Sequence, residues 1–122
     1  MAPGGIHHIA LRVTDCTRAA AFYANVLGVA ELRRTEGDDG RVRSIWLSAG
    51  GTILMLELSL RGSGREDGSG HVLAFEVDDL ADCERRLHDL GIAVADRTAH
   101  TLYTEDPDGH RVGLTVFGKA RA

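Results

Sequence analysis

The chain repeats its own opening. "HHIALRVTD", residues 7–15, returns as "HVLAFEVDD", residues 71–79, in a frame that carries Val13 onto Val77 and Asp15 onto Asp79. Ile9, Ala10 and Leu11 fall on Leu73, Ala74 and Phe75. A duplication of this kind commits a chain to two copies of one supersecondary unit, neither of which buries all of its apolar surface alone. After each Asp comes a helical stretch, "CTRAAAFYANVLG" and "LADCERRLHDLG". The aspartates suit N-caps, because a carboxylate there accepts from the exposed N–H groups of the first turn. Gly28 and Gly91 suit the left-handed residue that closes a helix. In the second stretch Leu80, Leu87 and Leu90 share one face, the amphipathic pattern.

Short strands are expected beyond each helix. The first half offers "AELRRT", "RSIWLS" and "TILMLELSL"; the second offers "IAVADR", "TLYTE" and "RVGLTVF", with "DPDG" as a turn before the last. The map is α+β: paired βαβββ modules at 6–60 and 71–118, joined by a Gly-rich connector at 61–70, in a single domain over 1–122. One helix covers only one face of a four-stranded sheet. The open faces are therefore expected to meet around a cleft, within the chain or across a homodimer, and function is expected there.

A net charge of −4 argues against a nucleic-acid partner, which needs clustered Lys and Arg. No apolar run has the length of a membrane span, and the first residues lack the pattern of a signal peptide. The two cysteines, Cys16 and Cys83, make no CxxC pair. A cytoplasmic protein with a small-molecule ligand, and neither nucleic acid nor membrane as partner, is the expectation.

The segments "HHIALRVTDCTRAAAFYANVLGV", "LMLELS", "LAFEVDDL" and "EDPDGHRVGL" together resemble the vicinal oxygen chelate superfamily, over about residues 6–117. That family includes glyoxalase I, bleomycin-resistance proteins, extradiol dioxygenases and fosfomycin-resistance enzymes, so the resemblance implies a fold more firmly than an activity. In its metal-using members each module supplies a His from its first strand and a Glu from its last. The resemblance therefore implies His8 and Glu57 as a ligand pair in the first module. In the second module the matching positions are read as Val72 and Gly113, neither a ligand. Catalytic Zn²⁺, Mn²⁺, Ni²⁺ or Fe²⁺ ordinarily takes at least three protein ligands. The chain is thus expected to work without a cofactor, with one of those ions bound only through His8 and Glu57. Either residue also suits a structural role, His8 closing a strand end and Glu57 pairing with Arg12 or Arg111.

Strand parity sorts the remaining candidates. Leu11 and Val13 face the helix, so His8, Ala10 and Arg12 face the cleft. Leu73 and Phe75 face the second helix, so Val72 and Glu76 face the cleft and His71 does not; a one-residue slip would rescue His71 only by turning the leucine and phenylalanine outward. On the last strands Met55, Glu57 and Ser59 face inward above Leu54, Leu56, Leu58 and Leu60, and Arg111, Gly113, Thr115 and Phe117 face inward in the second half. Trp46 and Tyr103 are candidate walls, on faces that periodicity leaves open. The expected function is metal-independent binding of an apolar or aromatic molecule. The alternative is a lyase, isomerase or dioxygenase that uses Glu57 and His8, with or without a metal; a third reading is a module for protein association.

Overall fold

The computed structural model describes residues 4–62 and 70–118, and the chain divides into two compact units, Met1–Ser63 and Gly64–Ala122. In the first, Asp15 holds an extended conformation (φ −146°) and its carboxylate accepts from the Arg18 N–H at 3.0 Å, starting helix α1 (Cys16–Leu27). Gly28 ends it at φ 70° and donates its N–H to the Ala24 carbonyl, a left-handed closure that a Cβ would oppose. Strands β1 (His8–Arg12), β2 (Glu31–Glu36), β3 (Val42–Ala49) and β4 (Thr52–Glu57) form a sheet of order β1-β4-β3-β2, with β1 parallel to β4 and the other pairs antiparallel. α1 lies on β3 and β4. It buries Cys16, Ala19, Ala20, Phe22, Tyr23 and Val26 against Ile45, Leu47, Leu54 and Leu56, all 8% exposed or less.

The second unit repeats the plan with β5 (Leu73–Glu76), α2 (Leu80–Asp89), β6 (Asp96–Arg97), β7 (Thr101–Glu105) and β8 (Arg111–Thr115), in the order β5-β8-β7-β6. Asp79 caps α2 by accepting from Ala81 and Asp82, and Gly91 follows its end at φ 72°. The "DPDG" segment is closed by the Asp106 carboxylate, which accepts from the N–H groups of Asp108 and His110. The expected α+β architecture of two βαβββ units is the one observed.

Three strand ends differ from expectation. "TILMLELSL" is strand only through Glu57; Leu58 makes one more bond to β3, its N–H donating to the Arg43 carbonyl, and the chain then leaves, with Leu60 45% exposed rather than under the helix. "RVGLTVF" ends at Thr115: the Thr115 hydroxyl accepts from the Phe117 N–H and turns the chain, so Phe117 stands 64% exposed with its ring against His100. "IAVADR" contributes only Asp96–Arg97 as strand. Upstream of it the chain is held differently, Ile92 donating to the Leu87 carbonyl and Thr104 Oγ1 donating to that of Ala93. The leucines of α2 also part company: Leu87 is fully buried, while Leu90 is 41% exposed. Residues 63–69 of the Gly-rich connector lie outside the described residues.

Candidate functional site

Within each unit the sheet turns one face to its helix, and the other, called here its open face, is covered by no helix of that unit. In the first unit, β1 and β4 pair His8 with Ile53, Ala10 with Met55, and Arg12 with Glu57. Lateral partners share a face, and the alternating residues Leu11, Leu54 and Leu56 lie under α1. His8, Arg12, Met55 and Glu57 therefore stand on the open face. β3 continues the rows, Ser44 beside Glu57 and Trp46 beside Met55. That settles the face taken by the tryptophan. The Arg33 guanidinium sits 4.8 Å above its ring, a cation–π contact that holds the indole in place. At the edge, His8 Nδ1 lies 3.0 Å from Nδ1 of His7. Glu57 Oε2 is buried and has no hydrogen-bond partner among the described residues.

In the second unit, Ala74 pairs with Gly113 and Gly113 with Tyr103, while Glu76 pairs with Thr115 and Asp96 with Tyr103. Val72 precedes β5 on the same parity. A concavity of about 600 Å³ is lined here by Val72, Ala95, Asp96, Thr98, Tyr103, Thr104, Glu105 and Arg111. Of the residues read from the sequence it gathers Val72, Tyr103 and Arg111; Glu76, Gly113 and Phe117 are not part of its lining. Sequence reasoning missed Ala95, Asp96, Thr98, Thr104 and Glu105 as lining residues. Glu105 was within reach, since it lies two residues beyond Tyr103 on one strand. Asp96 was not, because its place depends on pairing across to Tyr103. His71 lies outside β5 and is exposed.

The register also corrects an internal correspondence. The motifs "LELSL" and "VGLTV" match Gly113 to Glu57, yet Gly113 pairs with Ala74 and Glu57 pairs with Arg12. The repeat carries Ala10 onto Ala74 and Arg12 onto Glu76, so the counterpart of Gly113 is Met55, and the counterpart of Glu57 is Thr115. Glu57 lies four residues along β4 from Ile53, the partner of His8. At the rise of a strand this is about 13 Å, whereas diagonal neighbours such as His8 and Met55 lie about 7–8 Å apart.

This arrangement does not fit the divalent ion that the resemblance implies. The four equivalent positions hold His8, Met55, Val72 and Gly113: one imidazole, a thioether, an alkyl chain and no side chain. The last place is also closed. A Cβ on Gly113 would meet Tyr103 Cε1 at 3.3 Å, Ala74 Cβ at 3.4 Å and Thr101 Cγ2 at 3.5 Å. Among the described residues no three His, Cys, Asp or Glu side chains come together as an ion site.

Residues 5–114 match the family model described as the Glyoxalase/Bleomycin resistance protein/Dioxygenase superfamily. A "Probable lactoylglutathione lyase" of Vibrio cholerae is 30% identical over 96% of this chain and 94% of that protein. The "Metallothiol transferase FosB" of Bacillus licheniformis is 29% identical over 90% of this chain and 73% of its own length. Among solved structures, TnmS3, "an antibiotic binding protein from Streptomyces sp. CB03234", superposes with a TM-score of 0.71 at 26% identity, covering 94% of this chain and 97% of that one.

Proposed function

The chain belongs to the glyoxalase/bleomycin resistance protein/dioxygenase superfamily, and within it we propose a small-molecule binding protein that works without a metal ion. The observation that carries this reading is the strand register, which leaves His8 as the single ligand-type residue among the four equivalent positions. The pocket of the second unit suits a partly apolar ligand: the Tyr103 ring and Val72 supply apolar surface, while Arg111, Asp96 and Glu105 supply polar contacts. The likeness to a named antibiotic binding protein supports binding as the activity. A homodimer and a cytoplasmic location complete the proposal. Cys16 and Cys83 stand as thiols, and no described helix is long and apolar enough to cross a membrane.

The test is elemental analysis of protein purified without chelator, followed by thermal melts with and without EDTA. The expected result is substoichiometric Zn, Mn, Ni and Fe, and a melting temperature that EDTA leaves in place. An ion held one per chain, with a melt that falls when it is stripped, would overturn the proposal.

The relatives named lactoylglutathione lyase favour a second reading, a lyase or isomerase in which Glu57 removes a proton. Turnover of lactoylglutathione by wild type, lost in Glu57→Gln, would establish it; equal turnover in both would remove Glu57 from the chemistry.

A further inference from the structure

Glu57 is the polar group that the fold leaves unexplained. It stands on the open face of the first sheet with Oε2 buried and without a hydrogen-bond partner among the described residues. Burying a carboxylate oxygen in that state costs free energy that a partner would recover. The register removes the metal as that partner. Two observations fix the chemistry of what fits instead. The oxygen only accepts, so its partner must donate. The next row of the same face holds Met55 and Trp46 side by side, with the indole held by Arg33; a thioether beside an aromatic ring suits a flat apolar body.

We propose that this face recognises a flat heteroaromatic molecule through one N–H, which donates to Glu57 Oε2 while the ring system lies on Met55 and Trp46. The inference rests on the reading of the chain as a binding protein and concerns this face of the first unit by itself, apart from the pocket of the second. It also gives Glu57 a role that its distance from His8 allows. Ser44 beside it and Arg12 across from it complete the polar row.

Two probes of nearly equal shape test the contact. Benzimidazole carries an N–H where benzoxazole carries an oxygen, and both are neutral at pH 7.5. Trp46 is the chain's one tryptophan and lies on this face, so quenching of its emission, corrected for absorption by the probe, reports binding beside it. Wild type is expected to bind benzimidazole roughly tenfold tighter than benzoxazole, the value of one hydrogen bond to a charged acceptor. Glu57→Met keeps the side chain's length and removes the acceptor. It is expected to abolish the preference, leaving both probes bound with similar affinity, and to raise the melting temperature by relieving the unpaired oxygen. Equal binding of both probes to wild type, or a preference that survives Glu57→Met, overturns the donor contact and leaves the binding reading standing. Absence of quenching by either probe to millimolar concentration overturns the proposal together with ligand binding at this face.

Discussion

Single atoms decide what the open faces offer. Gly113 is the clearest case, for its missing side chain is what lets the Tyr103 ring settle against the sheet. A methyl group there would stand 3.3 Å from Tyr103 Cε1 and 3.4 Å from the Ala74 methyl. Gly113→Ala should therefore displace the ring by a few tenths of an ångström and destabilise the protein by about 1–3 kcal/mol, the range for overpacking. Urea unfolding measures this. In a Tyr103→Ala background most of the loss should vanish, because the atom that must yield is gone. A cost that persists unchanged would place the strain on Ala74 instead. Glu57 behaves in the opposite sense: its carboxylate is tolerated by the fold rather than required by it, so its removal should stabilise.

Among elements, α2 is the less firmly held helix. It buries Leu87 alone, whereas α1 buries six residues. An ion pair also ties α2 to the sheet edge, in which Arg97 on β6 donates to the Glu84 carboxylate, Nη2 to Oε2 2.5 Å. The hydrogen bond from Arg97 holds the Glu84 carboxyl below its ordinary value of 4.5. A depressed folded value means that the unfolded chain takes up the proton first as pH falls. The contact's stabilisation is thus fully present above pH 4.5 and is lost as pH drops through the lowered folded value. Both partners are solvent-exposed, so the effect is small. Thermal melts between pH 7 and pH 3 should show a steeper acid loss for wild type than for Glu84→Gln, the two curves converging at the acid end. Parallel curves throughout would remove Glu84 from the acid response.

At the scale of the whole chain, duplication has produced two units of one topology and unequal cores. The first encloses Tyr23, Ile45, Leu47 and Leu56, each 1% exposed or less; the second encloses Leu87, Leu102, Val112 and Leu114 around a helix with little else to bury. Amides of α2 should therefore exchange faster than those of α1, readable by hydrogen–deuterium exchange and mass spectrometry. Equal protection of the two helices would show that unequal burial does not govern local opening. Much of the architecture was legible in the amino-acid order because its signals are local. Asp15 and Asp79 start helices through contacts within three residues, Gly28 and Gly91 stand just past their ends, and alternation sorts Leu54 and Leu56 from Met55 and Glu57. Register is a different kind of fact. It depends on which hydrogen bonds form between segments about forty residues apart, and a slip of two residues preserves every alternation while setting Glu57 rather than Met55 diagonal to His8. That is why the sequence by itself determined two βαβββ units and the facing of their strands, whereas only the tertiary pairing decided which open-face residues are neighbours, and with them how little of a metal site this chain retains.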